Sequence, residues 1–339
     1  MTSPALFRPR PPIALDRAYA KPAAVSALIE RHAPYWSIQR YVATETELAV
    51  LSRERSADGS APQVRVIPWF RGDWAVAGSI VDGAEIVLEN PIFIEAARQV
   101  FDAKVVRPSI VYVNLMAPMP IRGEGHVDVP AFRGFDRKEH PVWLLHAMGR
   151  SGLFRRWQID QATAVSWFYE GKGGWFDYWA SGEDVAPERV EDLHHKAVVG
   201  DNDFMFHRVD AIGETKTIEP DMGLDTELRV GAKGQWEIAE GNRVYSRYAP
   251  GAVRVSVSWK AEVFASEEEA RVRDHHIDDL TLDCVTELFR EDLESRGTAA
   301  GLAGRPVDDA AFVSAITEAY PLPDLVYPTD RETQRRRRP

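Results

Sequence analysis

Residues 123–130 read Gly-Glu-Gly-His-Val-Asp-Val-Pro and contain the most informative polar pair of the chain. In an extended segment, side chains two residues apart point to the same side, so His126 and Asp128 present an imidazole and a carboxylate together. A third ligand from elsewhere would complete a facial site of two histidines and one carboxylate, which suits Fe(II) and leaves coordination positions open. The alternative is a solvated loop, because such a pair also arises by chance in an acidic chain.

A further histidine lies in an aromatic stretch. Residues 203–210 read Asp-Phe-Met-Phe-His-Arg-Val-Asp, which places His207 inside a segment of apolar strand character. A buried imidazole needs partners for its ring nitrogens, and a metal ion is one such partner. The alternative is a core histidine that bonds a backbone carbonyl. The stretch therefore offers His207 as a candidate for the missing ligand.

A late strand alternates valines with polar residues. Residues 252–259 read Ala-Val-Arg-Val-Ser-Val-Ser-Trp, so the valines lie on one face and Arg254, Ser256 and Ser258 on the other. If the polar face points into the interior, Arg254 requires a buried anion or a wet cavity. A guanidinium can hold a planar carboxylate through two hydrogen bonds. If the face is the outer side of the sheet, the same row is simply solvated.

The composition is that of an ordinary globular protein of 339 residues with a formal net charge of −11. This excess of acidic residues argues against a nucleic-acid-binding surface, and the basic run at Arg335–Arg338 fits a solvated tail. Cys284 is the only cysteine, which excludes an internal disulfide and favours a reducing, cytoplasmic compartment. No apolar run approaches the roughly 18 to 20 residues of a membrane span, so we expect no membrane association.

Strand signals dominate the middle of the chain, and helical spacing is found at both ends. Many strands with few helices among them favour a sandwich or barrel over a doubly wound sheet, so we predict one mainly β domain with flanking helices. The predicted strands are 64–69, 74–81, 85–88, 105–118, 164–169, 174–179, 204–212, 235–239 and 253–264. The predicted helices are 22–43, interrupted by Pro34, and 90–101, 267–276 and 280–297.

The His-x-Asp pair, the distal histidine and the Arg-x-Ser pair, in this order, resemble the Fe(II)- and 2-oxoglutarate-dependent dioxygenase superfamily. By position, His126, Asp128 and His207 match its catalytic, iron-binding triad. Arg254 with Ser256 resembles the pair that binds the distal carboxylate of 2-oxoglutarate.

The resemblance also implies a fold. The family core is a double-stranded β-helix, a jelly roll of cupin-like architecture, which would span residues 65–265 here. Residues 1–64 would form an N-terminal arm and helical segment. Residues 266–339 would form C-terminal helices and the basic tail, all within one integrated domain.

One spacing departs from the family pattern. In many members the arginine follows the distal histidine closely, whereas here residues 208–253 separate the two. Residues 214–251 would then be an insertion near the site. If they are not, Arg243 or Arg247 competes with Arg254 as the carboxylate anchor.

Three further features carry less weight. Asn114, on the predicted strand before the His-x-Asp pair, is a candidate to hydrogen-bond the cosubstrate or substrate, and the alternative is a buried asparagine satisfied by backbone. The aromatic segment 167–179 is predicted to form a hairpin of the core. The histidine pairs 194–195 and 275–276 stand among acidic residues, which suggests exposed helical segments without a metal.

The resemblance implies an enzyme that uses Fe(II), O2 and the cosubstrate 2-oxoglutarate and releases succinate and CO2. A carboxylate in the triad occupies the place that a halide would need, which favours hydroxylation of a C–H bond over halogenation. Desaturation, ring formation and epimerisation share the same hydrogen abstraction. We expect a small-molecule substrate and leave the oligomeric state open. The alternative is a cupin-like metal-binding protein or isomerase that does not use 2-oxoglutarate.

Overall fold

The computed structural model describes residues 8–41, 52–55, 63–123, 125–215, 222–298 and 304–321. The basic run Arg335–Arg338 lies outside these residues. Within the described parts of the chain, no helix has both the length and the apolar character needed to span a bilayer.

The described residues form strands along most of the chain. The strands are β1 (Ile13–Leu15), β2 (Tyr35–Ser37), β3 (Ser52–Arg55), β4 (Gln63–Val66), β5 (Trp69–Val76), β6 (Ser79–Ile80), β7 (Val105–Met116), β8 (Ala131–Phe132), β9 (Gln158–Ile159), β10 (Gln161–Phe168), β11 (Phe176–Tyr178), β12 (Glu188–Val190), β13 (His194–Gly200), β14 (His207–Val209), β15 (Glu227–Val230), β16 (Trp236–Glu240), β17 (Arg243–Tyr248) and β18 (Arg254–Phe264).

Helices lie mainly before β7 and after β18. They are α1 (Pro22–Arg31), α2 (Glu85–Leu88), α3 (Pro91–Phe101), α4 (Val142–Ser151), α5 (Glu267–Asp274), α6 (Leu282–Ser295) and α7 (Ala310–Ala319). The predicted helices at 90–101 and 280–297 and the predicted strands at 105–118 and 253–264 are confirmed to within a few residues.

Two antiparallel sheets build the core. The large sheet has eleven strands in the order β1-β13-β10-β18-β7-β5-β2-β15-β16-β17, with β6 added to β5. The small sheet has the order β12-β11-β14. An antiparallel bridge between His126 and His207 adds the segment around residue 126 to the β14 edge.

From β7 onward the chain passes back and forth between the two sheets. β7, β10, β13 and β18 belong to the large sheet, whereas the residue-126 segment, β11, β12 and β14 belong to the small one. The core thus contains four neighbouring strands of the large sheet and four strands of the small sheet. Eight strands divided between two sheets in this way form a double-stranded β-helix, or jelly roll. The predicted fold class, mainly β with flanking helices and a jelly-roll core, is confirmed. The division of the chain at residues 64 and 265 stays a prediction.

Apolar side chains cover both faces of the large sheet. On the outer face, Phe93 of α3 packs on Trp259 of β18 with ring centroids 5.8 Å apart. Between the sheets, Trp167 of β10 packs on Phe176 of β11 with centroids 5.1 Å apart. Burial of this apolar surface drives folding and determines which face of β18 is turned outward.

The inner face of β18 is polar, as the alternation predicts. Val257 and Trp259 belong to the outer apolar cluster. Arg254, Ser256 and Ser258 alternate with them and are only 1%, 5% and 4% exposed, respectively. The interpretation of this row as a solvated outer face is therefore wrong, and the row requires polar partners inside the protein.

Residues between β14 and β18 enlarge the large sheet. Strands β15, β16 and β17 extend it beyond β2, and five strands stand between β17 and β18 in the sheet order. Arg243 and Arg247 lie on β17 and are exposed. Arg247 donates to a carboxylate oxygen of Glu237 at 2.8 Å. Neither arginine lies on the polar face of β18.

Several local predictions are wrong, and the cause is tertiary context. Residues 85–88 form the short helix α2 where a strand is predicted. A four-residue apolar run carries too little periodicity to distinguish a helix from a strand. His194 begins strand β13 and is not helical. Segment 167–179 connects strands of different sheets and forms no hairpin. Helix α4 was not predicted.

We expect Asn90→Ala to lower the free energy of unfolding by about 2 kcal/mol. Asn90 is the N-cap of α3: its carboxamide oxygen accepts from the Ile92 N–H at 3.1 Å, and its Nδ2 donates to the Ala18 carbonyl at 2.9 Å. Urea unfolding measures the change. Gln99→Ala, on the exposed side of the same helix, should change it by less than about 0.5 kcal/mol. Equal small changes in both variants would contradict the capping role.

Candidate metal centre

Three side chains that can bind a metal meet at the His126–His207 bridge. One ligand atom each of His126, Asp128 and His207 lies within 4.8 Å of the other two. The two imidazole centroids are 4.4 Å apart, and Nε2 of His126 is 3.9 Å from Oδ1 of Asp128. Metal–ligand bonds of about 2.1 Å put neighbouring ligand atoms about 3 Å apart, so small side-chain rotations suffice to bind one ion. The structure thus brings together the three residues that the sequence singles out.

Backbone hydrogen bonds hold these residues in place. The N–H groups of His126 and His207 each donate to the other residue's carbonyl at 2.9 Å. The Asp128 N–H donates to the carbonyl of Asn202 at 2.8 Å. Gly125 precedes them with φ of +95°, and a Cβ there would stand 2.5 Å from the ring of Phe206. Only glycine permits this close approach without strain.

A hydrogen bond defines which nitrogen of His207 faces the site. Its Nδ1 lies 2.9 Å from the carbonyl oxygen of Met205, and His207 is buried. A carbonyl only accepts, so Nδ1 carries the proton and Nε2 keeps the lone pair that a metal ligand needs. The interpretation of His207 as a core histidine bonded to a carbonyl is thus correct for Nδ1, whereas Nε2 is left for a metal ion.

The electrostatics favour the protonation states that a metal requires. Burial by itself raises the pKa of Asp128, but the Lys260 ammonium, 2.8 Å from its Oδ2, together with His207 and His126 outweighs burial and holds the pKa below its ordinary range. Although 56% of the His126 side chain is exposed, desolvation by the surrounding protein and the nearby His207 lower the pKa of His126. At neutral pH, Asp128 is therefore a carboxylate and His126 a neutral imidazole, as metal binding requires.

Arg254 is a buried cation with an unused donor. Its Nε donates to the carbonyl of Gly174 at 2.7 Å, while Nη2 has no hydrogen-bond partner among the described residues. Burial lowers the pKa of Arg254 to about 10, so the group still carries its charge at neutral pH. A buried guanidinium with a free N–H requires an anion, and a carboxylate matches its geometry.

Ser256 and Asn114 continue the same inner surface. In the β18–β7 pairing, Ser256 stands directly opposite Asn114, and both are buried. The side-chain oxygen of Asn114 accepts from Nε1 of Trp69 at 3.0 Å, which orients the amide. The side-chain oxygen of Asn114 is therefore satisfied by the side chain of Trp69, whereas the alternative interpretation predicted a backbone partner.

Two groups near the site were missed by the sequence reasoning. Lys260 lies two residues beyond Ser258, so extending the alternation of β18 by one step would have found it. His146 lies on α4, is 3% exposed and interacts electrostatically with Asp128. Burial, reinforced by Arg150, lowers the pKa of His146 to about 4. No local signal indicates His146, because helix α4 itself was not predicted.

Asp203 is a third missed group. It is 2% exposed, and neither of its carboxyl oxygens has a hydrogen-bond partner among the described residues. Burial raises the pKa of Asp203 well above its ordinary value, whereas the charge of Lys260 opposes this rise. Asp203 therefore lies in the same buried electrostatic cluster as Lys260 and Asp128.

No family model matches the sequence, and no curated protein is significantly similar. Among solved structures, an oxidoreductase of the 2OG-Fe(II) oxygenase family from Burkholderia pseudomallei matches at a TM-score of 0.38 and 10% identity, covering 74% of this chain and 85% of that one. A Pseudomonas putida prolyl-4-hydroxylase matches at 0.36 and 11%, covering 75% and 94%. HygX from Streptomyces hygroscopicus, with nickel and 2-oxoglutarate bound, matches at 0.35 and 7%, covering 75% and 83%.

Proposed function

We propose that this protein is a non-haem Fe(II)- and 2-oxoglutarate-dependent oxygenase that oxidises a C–H bond of a small molecule. His126, Asp128 and His207 bind the iron, and Arg254 with Ser256 binds the distal carboxylate of the cosubstrate. The observation that carries the proposal is the convergence of three ligand atoms within 4.8 Å, in a jelly roll whose inner face also holds an unpaired buried arginine donor.

The donor set fits a ferrous ion. Two imidazoles and one carboxylate on one side of an ion leave positions open for cosubstrate and O2, which is the facial arrangement of non-haem iron oxygenases. The Met205 carbonyl directs Nε2 of His207 to the site. The open positions are needed because iron, 2-oxoglutarate and O2 together supply the oxidising chemistry, with succinate and CO2 as coproducts.

Arg254 fits the distal carboxylate of 2-oxoglutarate. Its Nε is already bound to Gly174, which fixes the orientation of the guanidinium, and its Nη2 is left to donate to a ligand. Ser256 lies two residues along on the same face and can add a hydroxyl donor. A cupin-like metal protein or isomerase without 2-oxoglutarate would leave this buried charge without an anion, which favours the oxygenase.

The protein's contribution is to position the substrates. Phe176 packs near His207 with ring centroids 5.6 Å apart, and Trp167 packs on Phe176. These rings make an apolar wall beside His207. Asn114, oriented by Trp69, presents its amide N–H groups on the same inner surface for the cosubstrate or substrate.

The preferred reaction is hydroxylation. Asp128 occupies the third ligand position, the place that a halide would need, so the site is not arranged for halogenation. The acidic charge of the chain disfavours nucleic-acid substrates, and a small molecule is the proposed substrate class.

Replacing Asp128 should abolish turnover and weaken metal binding. We expect Asp128→Ala to lower Co(II) affinity at least about 100-fold and to eliminate 2-oxoglutarate-dependent succinate formation, since it removes the only anionic ligand of the triad. Isothermal titration with Co(II) and a succinate assay measure the two effects. His275→Ala, at an exposed histidine, serves as the control and should match wild type. Undiminished succinate formation by Asp128→Ala would count against the triad.

Replacing Arg254 should separate cosubstrate binding from metal binding. We expect Arg254→Met to raise the KM for 2-oxoglutarate about 30- to 150-fold, the loss of a charge-assisted contact of about 2–3 kcal/mol, with Co(II) affinity unchanged. Circular dichroism checks the fold, and Arg247→Met provides an exposed control. An unchanged KM would show that another group binds the distal carboxylate.

A further inference from the structure

We propose that Lys260 is a positioning residue of the metal centre, whose ammonium holds one oxygen of Asp128 so that the other alone is presented to the ion. This inference rests on the proposed iron site. It adds a residue outside the His-x-Asp, distal His and Arg-x-Ser pattern.

The two oxygens of Asp128 have different neighbours. Oδ2 accepts from Nζ of Lys260 at 2.8 Å, whereas Oδ1 lies 3.9 Å from Nε2 of His126. The side chains of Asp128 and Lys260 are 14% and 12% exposed, so water competes little for their ion pair. The hydrogen bond therefore turns Oδ1 toward His126 and keeps Oδ2 engaged.

The pairing of β18 with β7 is irregular beside Lys260. Lys260 stands opposite Ile110 and Ala261 opposite Pro108, so the register shifts between them. The extra residue, Ser109, therefore belongs to β7, and such bulges are common beside active sites. On its other edge, β18 stays in regular register with β10, where Lys260 stands opposite Thr163. The irregularity is thus confined to the β7 side.

Asp128 stabilises the buried ammonium. Its Oδ2 accepts a hydrogen bond from Nζ of Lys260 at 2.8 Å, and its charge raises the pKa of Lys260 against the opposing effect of burial. Lys260 consequently stays charged in a position that an isolated lysine would not tolerate. Such partners fix the orientation of a ligating side chain, and their loss typically costs 10- to 100-fold in metal affinity.

The opposite expectation follows if Lys260 only neutralises Asp128. The ammonium is positive, as is the ion, so simple Coulomb repulsion predicts that removing Lys260 strengthens metal binding. The positioning role predicts that removing it weakens metal binding, because Asp128 is released to rotate or to bind with both oxygens. The sign of the change in affinity therefore separates the two roles.

The test compares Lys260→Met, Lys260→Arg and the matched control Ser258→Ala, which alters the same inner face of β18 one step away. Co(II) affinity is measured by titration calorimetry, and the visible spectrum of bound Co(II) reports the coordination around the ion. We expect Lys260→Met to lower affinity at least about tenfold and to change the Co(II) spectrum. Lys260→Arg should rescue affinity to within about threefold, and Ser258→Ala should match wild type.

Equal or tighter Co(II) binding by a folded Lys260→Met protein, with an unchanged spectrum, would overturn the positioning role. Circular dichroism establishes whether each variant is folded. If Lys260→Met does not fold, Lys260→Arg tests the role through a variant that keeps the charge. Loss of Co(II) binding in a folded Lys260→Arg protein would also overturn the positioning role. Failure of the proposed function gives a different result. In that case, wild-type protein either does not bind Co(II) or binds it no more tightly than Asp128→Ala does.

Discussion

The burial of positive charge on the inner face of β18 is the constraint on which the rest of the site depends. Arg254 and Lys260 lie on this face, between sheets that are otherwise held together by aromatic packing. A buried cation destabilises the fold unless an anion accompanies it. Asp128 meets this need for Lys260, whereas Nη2 of Arg254 has no partner among the described residues. The protein itself thus neutralises one cation and leaves a buried donor of the other without a partner among the described residues.

The jelly roll brings distant residues to this face. The chain changes sheets between β7 and β10 and again between β13 and β18, which places His126 and His207 side by side through a mutual pair of backbone hydrogen bonds. The turn at residues 201–206 then supports two candidate ligands at once. Its Asn202 carbonyl accepts from the Asp128 backbone, and its Met205 carbonyl orients His207. The fold therefore positions these candidate ligands through backbone hydrogen bonds.

Much of this arrangement could be predicted from the two-residue periodicity of the strands and from the chemistry of their side chains. Alternation along β18 predicts that Arg254 shares one polar face with Ser256 and Ser258, and spacing of two predicts that His126 and Asp128 share a side. The same alternation, continued by one step beyond Ser258, also predicts that Lys260 lies on this face. Helix α4 and the helical state of residues 85–88 were not predictable, because short apolar segments take their conformation from tertiary packing. Strand β16 matches the strand predicted at 235–239, but β15, β17 and the addition of all three strands to the large sheet had no local signal.

The most direct test of the central claim is optical. Wild-type protein is titrated with Fe(II) and 2-oxoglutarate under anaerobic conditions, and the visible spectrum is recorded. If His126, Asp128 and His207 bind one ferrous ion with room for the cosubstrate, a weak visible charge-transfer band develops that needs both additions and is absent in folded His207→Gln. Absence of the band in folded wild-type protein, or its persistence in His207→Gln, would contradict the account.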